Sequence, residues 1–174
     1  MALYEFDGKR PQVPADSFVH PAAVLIGDVR LGHECLIAPG VAIRAEFGPV
    51  EIGNRSNIQD NSIIHVNPDA RVIIEDNIVI AHGVILHDVH IKPRCVIGMG
   101  AILMFNVVCA EDVIVAAGSL VPKDMQIPAG KIVSGNPAEV IRDVSEKQKL
   151  MAREGVDAYC DLCRKYLATM KLIQ

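Results

Sequence analysis

One aliphatic position recurs at every sixth residue along the chain: Val19, Leu25, Leu31, Ile37 and Ile43, then Ile52, Ile58 and Ile64. After a ten-residue step the series resumes at Ile74, Ile80 and Leu86. It continues at Ile91, Ile97 and Leu103, then Val108, Ile114 and Leu120, and ends at Ile127 and Val133. A half-buried strand would alternate with period two and an amphipathic helix would repeat near 3.6. A sustained period of six instead marks a repeat architecture, in which each hexapeptide forms one short flat side of a prism and three sides complete a coil. Small residues four places after the aliphatic one (Ala23, Cys35, Ser56, Ser62, Cys95 and Ala101 among them) and glycines such as Gly27, Gly53, Gly83 and Gly98 fit the corners between sides.

The pattern predicts an all-β solenoid, a parallel β-helix over residues 15–141, within a single domain spanning 1–174. The two long steps, Ile43 to Ile52 and Ile64 to Ile74, contain Gly48-Pro49 and Asn67-Pro68-Asp69, turn formers that read as loops leaving the prism. The period stops after Gly135, Asn136 and Pro137. Ser145 and Gln148 then stand in the spacing of a capping box and predict a C-terminal α-helix over 143–172. An apolar stripe of Leu150, Val156, Tyr159, Leu162, Tyr166 and Met170 is expected to pack along the solenoid or a neighbouring subunit.

Because three hexapeptides make a coil, residues three repeats apart stack at about the 4.8 Å spacing of paired strands. The residues after Ile43, Ile64 and Leu86 are Arg44, His65 and His87, so one edge carries an arginine and then two histidines on successive coils. The second residues after Ile58 and Ile80 are Asp60 and His82, a polar column on a different edge, with Gln59 beside it. His82 and His87 lie on different sides of one triangle, too far apart to share an ion whose donors stand about 2.0–2.1 Å away. Two copies meeting around a closed three-fold axis bring these edges together, giving three neutral imidazoles with an open fourth position. At such an interface Arg44 and Asp60 would pair and fix the subunit register. His20, His33 and His90 lie off both columns and read as solvated side chains.

With only 4% aromatic residues and no Trp, the core must be built from Ile, Val, Leu and Ala. The net charge of −4 comes without a Lys/Arg run, which argues against a nucleic-acid partner. The N-terminus lacks the features of a signal peptide and no apolar run reaches 18 residues, so neither export nor a membrane span is expected and the location expected is cytoplasmic. Cys35, Cys95, Cys109, Cys160 and Cys163 accordingly read as free thiols, with no role for the Cys160, Cys163 pair.

The segments Ile43-Arg44, Asn57-Ile58-Gln59-Asp60, Ile64-His65-Val66, Ala81-His82-Gly83, Leu86-His87, Gly98-Met99-Gly100-Ala101 and Gly135-Asn136-Pro137-Ala138 resemble the γ-class carbonic anhydrase-like family of hexapeptide-repeat proteins, including its bacterial branch of phenylacetate and carnitine pathway homologues. The resemblance covers most of the chain. It implies a left-handed β-helix, a homotrimer, and a zinc ion held by His65, His82 and His87, with His82 given by the adjacent subunit; Fe(II) or Co(II) suits the same donors. It further implies that Gln59 and Asn57 orient water and substrate, that Arg44 and Asp60 form the intersubunit pair, and that hydroxide on the metal hydrates carbon dioxide to bicarbonate. Two departures stand out. Arg44-Ala45-Glu46 replaces the family's usual Arg-Gly-Asp, and the acidic loop with the proton-shuttle glutamate has no counterpart before His65. Proton export is therefore expected to be slow unless Glu46 reaches the site. Competing readings are an acyl-CoA thioesterase or acyltransferase, since hexapeptide-repeat proteins bind acyl-CoA between coils, and a non-catalytic metal-binding trimer. Loss of activity on chelation separates a metalloenzyme from a transferase that uses histidine as its base.

Overall fold

A computed structural model describes residues 2–173. Its strands stack in parallel into three flat faces. The first carries the start of Val24–Leu31 and of Ala42–Ile52, then Ile63–His65, Ile85–His87, Ile102–Leu103 and Leu120–Val121. The ends of the two long strands turn onto the second face, which continues through Val72–Ile74, His90–Ile91, Val108–Cys109 and Gln126–Ile127. On the third face seven strands run from Phe18–Val19 to Lys131–Gly135. This is the parallel β-helix of hexapeptide repeats that the six-residue period predicts.

Register is what converts the period into a core. On the first face Leu25, Ile43, Ile64, Leu86, Leu103 and Val121 pair rung on rung. On the third, Val19, Ile37, Ile58, Ile80, Ile97, Val115 and Val133 do the same. All of these are buried, most of them completely. A slip of one residue would turn every rung outward, so the interior aliphatics hold the register. Small residues close the corners as expected: Ala23, Cys35, Ser56, Ser62 and Ala101 are fully buried. The Ser56 hydroxyl donates to Glu75 O at 2.8 Å and accepts from Ile78 N at 3.1 Å, so a buried corner leaves no polar group unpaired.

The last coils correct the sequence reading by one residue. The interior positions there are Cys109, Val115 and Val121, each fully buried, whereas Val108, Ile114 and Leu120 face outward and are half-buried. Both residues of each of these strands are apolar, so alternation is lost and hydrophobicity cannot tell inside from outside. Counting six from Leu103 gives Cys109.

The open ends of the solenoid are covered. Ala2–Tyr4 adds a parallel strand beside Val24, and Ala138–Asp143 folds back antiparallel on Lys131–Gly135. Helix α1, Glu146–Thr169, begins with the expected capping box: the Ser145 side chain accepts from Gln148 N, and the Gln148 side chain accepts from the Ser145 backbone. It returns along the third face, packing near Val79 through Val156 and Cys160. Its buried side chains are Val156, Cys160 and Cys163, with Tyr159, Leu162 and Tyr166 partly buried, while Leu150 and Met170 of the expected stripe are exposed. The two thiols pack as small buried side chains, and Cys163 also donates to Cys35 O at 3.2 Å. Burial pushes both above the usual thiol range, which keeps them unreactive. Among the described residues no helix is long and apolar enough to cross a membrane.

Candidate metal centre

Arg44, His65 and His87 are stacked neighbours on the first face, paired in direct register. Each follows an inward rung, so each side chain points outward at the same edge. His65 Nδ1 lies 2.9 Å from His87 Nε2, and the two rings stand edge to face with centroids 4.9 Å apart. Phe47 adds a ring 5.9 Å from His65, and Phe105 one 4.7 Å from His87, so the histidine pair sits in a row of four rings. The pattern did not single out these phenylalanines, because Phe47 lies in the long step between Ile43 and Ile52 and Phe105 in a turn, both outside the six-residue count.

Glu46 does reach this edge. Arg44 Nε donates to Glu46 Oε1 at 3.0 Å, and Glu46 Oε2 lies 3.7 Å from His65 Nε2. Three buried atoms here lack a hydrogen bond among the described residues: Glu46 Oε2, His65 Nε2 and His87 Nδ1. His65 is held below the usual imidazole range by burial first, then by the Arg44 charge and by His87. Both burial and these charges favour the neutral form, which is the form a metal donor needs.

The second edge is built on the third face. Asp60 and His82 stack on successive coils, with His82 Nδ1 and Asp60 Oδ2 2.8 Å apart. Gln59 and Asn57 flank the Ile58 rung and are both buried; Gln59 Nε2 donates to Asn57 Oδ1 at 3.0 Å. Asn57 also donates to Ile78 O at 3.4 Å, so its influence on this edge runs through Gln59. Helix α1 brings Tyr159 to the same place, where burial and the Asp60 carboxylate push its phenol upward. In the sequence Tyr159 looks like one more apolar residue of the helix stripe, and nothing in the spacing marks its hydroxyl.

One chain does not bring the two edges together. Among the described residues no three His, Cys, Asp or Glu side chains converge on a single point. His65 and His87 form a pair, His82 stands apart with Asp60, and Arg44 is bonded to Glu46. The donors nonetheless fit a divalent ion in one respect. Each histidine has a carboxylate nearby: His82 Nδ1 is hydrogen-bonded to Asp60, whereas His65 Nε2 lies 3.7 Å from Glu46 Oε2 and His87 Nδ1 3.2 Å from Asp88 Oδ2, both without a hydrogen bond among the described residues. A carboxylate behind the ring is the usual partner of a metal-ligating imidazole, because it fixes the tautomer and raises basicity. Asp88 lies outside both stacked columns, and nothing in the six-residue spacing marks it.

Comparison with known proteins gives the following. The carnitine operon protein CaiE of Salmonella agona is 37% identical over 174 residues, covering 98% of this chain and 88% of CaiE. The mitochondrial gamma carbonic anhydrase 1 of Arabidopsis thaliana is 36% identical over 166 residues, covering 92% of this chain and 60% of the plant protein. Among solved structures, a putative acetyltransferase of Bacillus cereus superposes with a TM-score of 0.95 at 31% identity, covering 97% of this chain and 98% of that one. No family model matches the chain.

Proposed function

The chain belongs to the family of left-handed β-helix, hexapeptide-repeat proteins that includes CaiE and the gamma carbonic anhydrases, and we propose that it is a metal-dependent hydro-lyase of the carbonic anhydrase type, converting carbon dioxide to bicarbonate as a homotrimer. In this reading His65 and His87 of one subunit and His82 of the next hold one ion at each interface. Zinc, Fe(II) and Co(II) all suit three imidazoles. The observation that carries the proposal is the split of the three histidines between two edges of one prism, with His65 and His87 2.9 Å apart on one edge and His82 hydrogen-bonded to Asp60 on the other.

A divalent ion in such a site supplies Lewis acidity, which brings the pKa of water to about 7 and provides a nucleophile at neutral pH. The chain's own groups do the rest. Gln59, steadied by Asn57, presents an amide beside the His82 edge to orient water and substrate. Asp60 orients His82, and Arg44 pairs with Asp60 of the neighbouring copy to set the register in which the edges meet. Glu46 stands 3.7 Å from His65 and offers a proton acceptor at the first edge in place of the missing shuttle loop.

A second reading, acyl transfer to or thioester hydrolysis from coenzyme A, draws on the structural likeness to the putative acetyltransferase. A metal-independent transferase keeps its activity under chelation, whereas the hydro-lyase loses it. The sharing of the site is tested by mixing His65→Ala with His82→Ala chains, unfolding and refolding them together. Each mixed trimer then contains one intact interface, so metal content and carbon dioxide hydration partly return. A mixture of His65→Ala with His87→Ala gives no return, because every chain lacks one member of the same edge. Equal rescue in both mixtures, or in neither despite verified mixed trimers, overturns the reading.

A further inference from the structure

Asp88 follows His87 at the end of the first face. It is only 7% exposed and holds a left-handed backbone conformation with φ 54°. Its Oδ1 accepts the backbone N–H of Asn67 at 2.7 Å and its Oδ2 accepts the Asn67 side-chain amide at 2.8 Å. Asn67 opens the loop of Asn67, Pro68 and Asp69 that interrupts the six-residue period. A similar clamp holds Asp76 to Asn54 at another corner, with bonds of 2.7 and 3.5 Å, and among the described residues no histidine ring bonds to it, His33 reaching Asn54 only through its backbone N–H. The clamp alone is therefore architecture.

Two features set Asp88 apart. It is a buried carboxylate that makes no ion pair with Lys or Arg among the described residues, and uncompensated buried charge is costly. Its one basic partner among the described residues is His87, whose Nδ1 lies 3.2 Å from Oδ2 without a hydrogen bond, while the ring's Nε2 faces His65 Nδ1 at 2.9 Å. A neutral imidazole offsets little of that charge. An imidazole polarised by a cation on its other nitrogen offsets much more.

Resting on the metal reading above, we infer that Asp88, clamped by Asn67, is a positioning residue for the metal site: it keeps the His87 proton on Nδ1 and leaves the Nε2 lone pair for the ion. The loop opened by Asn67 then has a function, since it supplies both donors that hold the carboxylate in place. Asp88 touches neither substrate nor ion and acts only through His87.

The tautomer is the readout that a purely structural role would not move. In metal-free, 15N-labelled wild-type protein, long-range proton–nitrogen spectra should show His87 protonated at Nδ1. Asp88→Asn should transfer that proton to Nε2 and weaken Zn(II) binding, measured against a competing chelator, by about 10- to 100-fold. Asp76→Asn breaks the comparable clamp and should change neither. Asn67→Ala keeps the charge and should weaken Zn(II) binding by less than Asp88→Asn does. If Asp88→Asn does not fold, the wild-type tautomer and the Asn67→Ala titration decide the matter. Wild-type His87 protonated at Nε2, or a folded Asp88→Asn trimer that binds Zn(II) as wild type does, overturns the inference. Wild-type protein that binds no Zn(II), Fe(II) or Co(II) overturns the metal reading itself, and the role of Asp88 with it.

Discussion

Replacing Ile80 by Ala tests the core where it supports the second edge. Ile80 has no exposed surface and pairs with Ile58 below and Ile97 above, two residues before His82. The change removes three carbons, which at about 0.8 kcal/mol each is roughly 2.4 kcal/mol of lost transfer energy. The neighbouring rungs are held by strand ladders and cannot collapse into the gap, so a cavity term adds, within an overall range of about 2–5 kcal/mol. At roughly 2–4 °C per kcal/mol for a chain of this size, a loss near 3.5 kcal/mol lowers Tm by about 7–14 °C. The assay is thermal melting followed by circular dichroism on metal-free protein at one fixed concentration, because an oligomer's apparent stability depends on concentration. Leu150→Ala on the exposed side of α1 is the control and should stay within about 0.5 kcal/mol of wild type. A change below about 1 kcal/mol for Ile80→Ala would show that this rung is not part of a close-packed interior.

Arg44→Ala should weaken the proposed trimer more than the single chain, since Arg44 is half exposed and among the described residues bonds only to Glu46 within its own subunit. Sedimentation of metal-free protein at low micromolar concentration checks this, and an Arg44→Ala variant that associates as tightly as wild type there would remove the intersubunit pairing. The depressed titration of His65 gives a pH dependence. The unfolded chain takes up a proton near pH 6.5 that the folded chain refuses, so this contribution to stability is complete above pH 6.5 and is lost as the pH falls below it. Metal-free His65→Gln should show a shallower loss of stability between pH 7 and 5 than wild type, and identical slopes would contradict the assignment.

Much of this was legible in the sequence because a solenoid writes its geometry as a count. Once Ile43, Ile64 and Leu86 are placed on one face, the stacking of Arg44, His65 and His87 follows by addition, and the registers agree. The count failed where composition stopped distinguishing the two sides of a strand, as in Ile114-Val115, where burial chooses the second residue. It also said nothing about contacts between elements remote in sequence. Tyr159 comes to Asp60 from a helix about a hundred residues away, and Asp88 is clamped across a loop that breaks the period. Glu46 lay between these cases. Its position was readable, but whether its side chain would span the distance to His65 depended on rotamers that no spacing encodes.

If the proposed ion is held by two edges that belong to different chains, binding and assembly are one equilibrium seen from two sides. A ligand that binds only the assembled state stabilises it by RT ln(1 + [L]/Kd), about 2.7 kcal/mol per site when the free ion is at 100 times its Kd. Three such interfaces close one ring, so the trimer would gain roughly 8 kcal/mol over separate chains. That is larger than the roughly 0–3 kcal/mol expected of three solvent-exposed ion pairs such as Arg44 with Asp60, at about 0–1 kcal/mol each. Chelation should therefore shift the sedimentation midpoint for dissociation to far higher protein concentration, and added Zn(II) should shift it back. In His82→Ala each interface keeps Arg44, Asp60 and every outward aliphatic side chain but lacks one ligand. Its trimer should form weakly and respond little to either chelator or metal. A wild-type trimer whose dissociation ignores metal while the protein still binds it would place the ion within a single subunit. That would contradict the separation of His82 from the His65 and His87 pair on which the shared site depends.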